Sequence, residues 1–283
     1  MTLAQLNGFF SPDYPAGQVF SAAVGTPPPG APHFPPVEIR DARALQARTE
    51  SEAACFAAHG FALLPHASAV RDWDNEVAAL YLPEIEAVIR ERLLPGRRLE
   101  IQQSPFLVRR GRGTGTPYAN GVHQDHGLTA GDYENNVTAF AGAEIGRRWR
   151  RRFDREDVAG FMAIDFWCTT NMAGPLRHMP LALCDPNSVG SGDLVPTRLT
   201  GIAPDGQETH HLALRYNDKQ AWYHYPEMTG DELLAFKIFQ CGADGGGPLA
   251  SCLHSAFVDP GTPADAEERQ SCEHRVGVLL LRD

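Results

Sequence analysis

From Phe161 onward the chain reads as a series of short strand-like runs separated by turn residues, and this limits the fold more than any other feature. The runs are Phe161–Thr170, His211–Asn217, Gln220–Pro226, Ala235–Gln240, Leu249–Val258 and Ser271–Arg282. Asn217-Asp218 and the stretch from Gly242 to Pro248 supply turns between them. Many short strands with such punctuation predict a β-sandwich or barrel.

The first half carries the helices. Residues 42–58 can form one, and Phe61-Ala62-Leu63-Leu64 reads as a short buried strand. Pro83 suits the first position of a helix, and Ile85, Val88, Ile89 and Leu93 follow at helical spacing, which predicts a helix over 83–93. Leu99 to Arg109 reads as a strand, followed by a glycine-rich loop from Gly111 to Gly121. Val137, Phe140, Ile145 and Trp149 predict a second helix over 134–153, whose other side carries the basic run Arg147 to Arg152. That run reads as a solvated face; the alternative is a clamp for an anionic substrate or partner. The sequence shows no internal repeat and no linker, so one domain is expected over 1–283. It divides into a Pro/Gly-rich extended arm (1–40), a mainly helical flank (41–98) and a β core (99–283) with a helical insertion at about 134–153.

The formal net charge of −10 argues against nucleic-acid and anionic-membrane partners. No apolar run approaches the roughly 18 residues of a membrane span, and Met1 to Leu6 lacks the basic start of a secretory signal. The six cysteines are dispersed and form no Cys-x-x-Cys pair. Reduced, buried thiols and a cytoplasmic location are therefore expected.

Within this frame His123 and Asp125 stand two residues apart, and on an extended segment such residues point the same way. His254, in the strand-like run Ser251 to Phe257, is the candidate third ligand. Two histidines and one carboxylate cover one face of an octahedral ion and leave three positions open, which suits non-haem iron(II) and dioxygen. His126 is a competing ligand, because His123 and His126 could meet on a helical turn, but Gly127 disfavours a helix there. Downstream, Arg269, Ser271, Glu273 and Arg275 would share one strand face. A guanidinium with a neighbouring hydroxyl is suited to grip a carboxylate cosubstrate.

These blocks resemble the iron(II)/2-oxoglutarate-dependent oxygenases, in the branch of the cephalosporin 7α-hydroxylase component, the fungal gibberellin desaturase and the AsaB-type hydroxylase/desaturases. The resemblance covers about residues 60–283. It is carried by Gly60 to Leu64, Val122 to Asp125, Pro180 to Asp185, Trp222 to Met228, Asp231 to Leu234, His254 to Phe257 and Arg269 to Arg275. It implies a mainly β fold with flanking helices around a double-stranded β-helix, or jelly roll. It also implies iron(II) on His123, Asp125 and His254, with 2-oxoglutarate and dioxygen as cosubstrates. Arg275 is preferred as the 2-oxoglutarate anchor because it lies deeper in the predicted strand, with Arg269 and Ser271 as the alternative. The sequence departs from the branch at His274, where a small apolar residue is usual, and at Asn171-Met172, where more basic residues are usual.

The activity implied is hydroxylation, desaturation or cyclisation of a small molecule, with release of succinate and CO2. Trp167, Arg177, His178, Asn217, Trp222 and Tyr223 are the candidate substrate contacts. The competing readings are a jelly-roll metalloenzyme that does not use 2-oxoglutarate, a non-catalytic binding module, and a Cys252/His254 thiol hydrolase.

Overall fold

The computed structural model describes residues 1–30, 33–104, 106–244 and 249–283. Parts of the expected arm (31–32), strand (105) and turn (245–248) lie outside the described residues. The first forty residues contribute three strands, β1 (Thr2–Ala4), β2 (Phe20–Ala23) and β3 (Val37–Asp41). The helix expected over 42–58 is two helices, α1 (Ala42–Gln46) and α2 (Glu52–His59), because the Ser51 side chain accepts from Ala54 N and starts a new one. β4 (Phe61–Pro65) follows, then α3 (Leu82–Ala87), which π-helical turns continue at both ends. The strand expected over Leu99 to Arg109 is split into β5 (Leu99–Gln102) and β6 (Val108–Arg110).

The helix expected over 134–153 is also two, α4 (Ala130–Ala141) and α5 (Ala143–Phe153). Thr129 and Asp132 form a capping box that starts α4 four residues early, and Gly142, at φ 92° and ψ 157°, breaks the run. The break turns Phe140 outward, 49% exposed, whereas Trp149 and Phe153 are buried. The basic face of α5 is tied up in ion pairs: Arg147 and Arg151 with Glu144, Arg150 with Asp154, and Arg152 with Glu100. Exposed pairs of this kind add little stability and describe a solvated face.

The remaining strands are β7 (Val158–Thr169), β8 (Leu181–Cys184), β9 (Leu194–Thr200), β10 (Thr209–Leu214), β11 (Trp222–His224), β12 (Glu232–Gly242), β13 (His254–Ala256) and β14 (Ser271–Leu281). One sheet runs β4-β12-β7-β14-β5, with β6 also on β14; a second runs β1-β3-β11-β8-β13, and a third β10-β9-β2. Two isolated bridges, His123 to His254 and Gln124 to Leu212, join the second sheet to the third.

β7 is buried on both faces, which explains its continuous apolar run. Met162, Ile164 and Phe166 pack with Phe56, Tyr81, Ile85 and Ile89 under the helices, while Phe161, Ala163 and Trp167 pack with Phe236, Leu183 and Leu279 between the sheets. On the second sheet Trp222, Ile39 and Cys184 face outward and are covered by Leu6 and Phe9. Among the described residues no helix is long and apolar enough to cross a membrane. All six cysteines are free and buried.

Candidate metal centre

The segment after the glycine-rich loop is extended and held on both sides. Val122 N donates to Asn7 O, His123 and His254 exchange backbone hydrogen bonds at 3.1 and 2.8 Å, and Gln124 does the same with Leu212. Extended backbone puts the His123 and Asp125 side chains on one side, and the bridge brings His254 beside them, with imidazole centroids 4.4 Å apart. The donor atoms of His123, Asp125 and His254 all lie within 4.8 Å of one another.

Both imidazoles are fixed in the same tautomer. His123 Nδ1 donates to Gly121 O at 2.7 Å and His254 Nδ1 to Cys252 O at 3.2 Å. A ring nitrogen bonded to a carbonyl must carry the proton, so the neutral ring offers its Nε2 lone pair to a metal. His254 is driven down to about 4 by burial and by the neighbouring His123, so it is neutral at pH 7. Burial opposes the Asp125 charge, but Arg275, His254 and His123 outweigh it and hold the carboxyl well below the usual carboxylate range. Two imidazoles that turn Nε2 toward one ionised carboxylate fit a divalent cation in chemistry and in spacing. His126 does not join them; its Nδ1 lies 3.0 Å from Asn136 Nδ2 and its ring packs on Tyr133.

Two buried amides brace this segment, and neither stood out in the sequence. Gln124 donates to His126 O at 3.0 Å and accepts from Ser251 Oγ at 2.9 Å. Asn136, on α4, donates to Asp125 O and His210 O and accepts from His210 N at 2.7 Å. The capping box was the available signal, because it sets the phase in which α4 turns Asn136 inward.

β14 carries the charged wall of the site. Its register with β7 sets Arg275 opposite Asp165, Glu273 opposite Trp167 and Ser271 opposite Thr169. Arg275 Nε lies 2.9 Å from Asp125 Oδ2, and its Nη2 is 3.4 Å from Glu273 Oε2. Glu273 is held in turn by Arg110 Nε at 2.6 Å. Asp165 is pushed well above the usual carboxylate range by burial and by the charge of Glu273.

A second polar patch lies further along β14. Ser271 is four residues from Arg275, about 13 Å along an extended strand. Ser271 Oγ, Thr169 Oγ1, Trp167 Nε1 and Arg269 Nε are buried without hydrogen-bond partners among the described residues. The Arg269 guanidinium sits 4.2 Å from the Tyr118 ring centroid and 5.6 Å from that of Trp167, and donates to Met179 O. Buried groups left unpaired are costly, and a cluster of donors in this state suits an acceptor-rich ligand such as a carboxylate.

The candidate substrate contacts are scattered. Trp167 and Tyr223 face the space between the sheets. His178 packs edge-on against Tyr118 and accepts weakly from Arg269 N. Arg177 pairs with Glu227 in a surface groove. Asn217 holds Asp193 in a turn, and Trp222 packs against Phe9 on the covered outer face. His274, the departure from the branch, points under the helices, where its Nε2 donates to Ser104 O at 3.0 Å. Cys252 is buried with its thiol pushed well up by burial, and His254 turns its Nδ1 to a carbonyl, so no activated thiol–imidazole pair exists there.

Comparison with known proteins agrees with this architecture. The iron- and alpha-ketoglutarate-dependent endoperoxidase NvfI superposes with a TM-score of 0.67 at 21% identity, covering 100% of this chain and 97% of that one. A single-substitution variant of it gives a TM-score of 0.70. The fold is thus the mainly β, jelly-roll type expected. Hydroxylase/desaturase poxK of Penicillium oxalicum is 31% identical over 143 residues, covering 44% of this chain and 43% of that protein. Hydroxylase/desaturase efuI of Hormonema carpetanum is 34% identical over 115 residues, covering 35% of this chain and 37% of that protein. The matches therefore span less than half the length of these relatives. The model of the oxidoreductase/YMDC permease-like domain matches residues 22–279, and the chain belongs to that family.

Proposed function

We propose that this chain is a non-haem iron(II)- and 2-oxoglutarate-dependent oxygenase that hydroxylates, desaturates or cyclises a small molecule in specialised metabolism. The observation that carries the reading is the triad of His123, Asp125 and His254, with both Nε2 atoms free and the carboxylate ionised. Such a set leaves one face of the ion open to a bidentate keto acid and dioxygen. Bound iron(II) with its keto acid supplies dioxygen activation, coupling oxidation of an unactivated carbon to release of succinate and CO2.

The residues of this chain have separate tasks. His123 and His254 present Nε2, and Gly121 O and Cys252 O keep those rings from turning. Gln124 and Asn136 hold the ligand segment in place from either side. Arg269, Ser271 and Thr169 grip the distal carboxylate of 2-oxoglutarate, because their unpaired donors are buried together while Arg275 is engaged with Asp125 and Glu273. This gives Arg269 the anchoring role for which the sequence alone preferred Arg275. Trp167 forms the wall beside the cosubstrate, and Tyr223 borders the substrate. The hydroxylase/desaturase names of the relatives support the reaction class. Six free cysteines support a reducing compartment such as the cytosol.

The test is anaerobic titration of the protein with iron(II) and then 2-oxoglutarate. A visible metal-to-ligand charge-transfer band is expected when the keto acid chelates. Iron binding without such a band would overturn the cosubstrate assignment and leave a different jelly-roll metalloenzyme.

A further inference from the structure

We infer that Arg275 is a positioning residue that keeps Asp125 a one-oxygen ligand and so preserves the open face of the metal centre. The inference rests on the metal-centre reading above. A carboxylate can bind a divalent ion through one oxygen or both, and only the first mode leaves three coordination positions vacant on a two-histidine, one-carboxylate site. The two Asp125 oxygens have different surroundings. Oδ1 faces the histidines, 3.6 Å from His123 Nε2, whereas Oδ2 lies 2.9 Å from Arg275 Nε. A cation on Oδ2 holds that oxygen away from a second positive charge.

Arg275 is itself fixed on two sides. Its guanidinium approaches Glu273 Oε2, and Glu273 is anchored through its other oxygen by Arg110 from β6. The strand pairing with β7 sets the backbone of Arg275 opposite Asp165. A fixed chain of alternating charge thus runs from Arg110 through Glu273 and Arg275 to Asp125. Were Arg275 instead recruited by a distal carboxylate, Asp125 Oδ2 would lose this ion pair, and among the described residues no donor hydrogen-bonds that oxygen.

The test loads the protein with manganese(II) alone, without cosubstrate, and counts metal-bound waters by electron–nuclear double resonance after deuterium exchange. Three waters are expected for the wild type and for Arg275→Lys, whose ammonium reaches Oδ2 as a point charge. Two are expected for Arg275→Met and Arg275→Gln, which do not supply that cation and free Oδ2 to chelate; the second keeps a polar side chain if the first fails to fold. Three waters in the folded Met or Gln variant would overturn the clamp while leaving the metal centre intact. Failure of the wild type to bind manganese(II) would overturn the metal centre itself. A cosubstrate anchor would raise the 2-oxoglutarate requirement but leave the water count unmoved.

Discussion

His123 and His254 donate to each other's backbone carbonyls across one isolated bridge, at 3.1 and 2.8 Å, with their imidazole centroids 4.4 Å apart. With the neighbouring Gln124–Leu212 bridge it joins the second sheet to the third. The pairing of the two imidazoles and the link between those sheets therefore share one short segment, His123-Gln124.

Removing either ring should abolish metal binding without unfolding the chain. His123→Ala and His254→Ala are expected to weaken iron(II) or cobalt(II) binding by at least about 100-fold, since a metal–imidazole bond is lost and the bridge itself is backbone. Calorimetric titration checks this, with circular dichroism for the fold. Binding near the wild-type level in either variant would mean the triad is misassigned.

The division of labour between the two arginines predicts different losses. Arg269→Gln removes a charge-assisted grip and should raise the 2-oxoglutarate requirement by about 10- to 100-fold, while Ser271→Ala costs about tenfold or less. Metal affinity measured without 2-oxoglutarate should stay unchanged in both. Steady-state kinetics against 2-oxoglutarate decides it; an unchanged requirement in Arg269→Gln would remove that residue from the cosubstrate site.

Asn136→Ala strands the carbonyl of Asp125 and the backbone of His210. It should destabilise the protein by about 1–3 kcal/mol, the range for leaving buried polar groups unpaired. Urea denaturation measures the loss. A metal affinity that falls alongside it would separate bracing of the ligand segment from a purely structural role for α4.

The acid limb of stability has a defined origin in His274. Burial drives it down to about 4, against an ordinary value of 6.5, so the folded protein holds it neutral. Its stabilising contribution is complete above about 6.5, where the unfolded chain is also neutral, and is lost as the pH falls from there through about 4. Denaturation midpoints of metal-free protein across that window should fall with pH. The slope should flatten in His274→Gln; an unchanged slope would place the effect elsewhere, His211 and His254 also being driven to about 4 by burial.

Much of the fold can be read from residue pattern because burial imposes it locally. β7 and the second half of β14, Val276 to Leu281, are apolar runs in the sequence since they are covered on both faces along most of their length. β8 and β9 escaped notice: the first is four residues long, and the second carries Pro196. α4 and α5 merged into one helix on apolar spacing alone, because spacing does not register the left-handed region that only Gly142 enters easily.

For the site, the sequence by itself determined which candidate ligand types are offered and which residues would share a strand face. His123 and Asp125 had to point together, as had Arg269, Ser271, Glu273 and Arg275, because side-chain direction on extended backbone depends only on local geometry. The tertiary structure decided how closely His254, already a candidate from the sequence, approaches that pair and which arginine met which partner. Those outcomes depend on sheet register and on the bridge at His123, long-range pairings that no local pattern encodes. The same holds for Trp222: its alternation marks it as buried, and only the arm packed over it shows that it faces away from the metal centre.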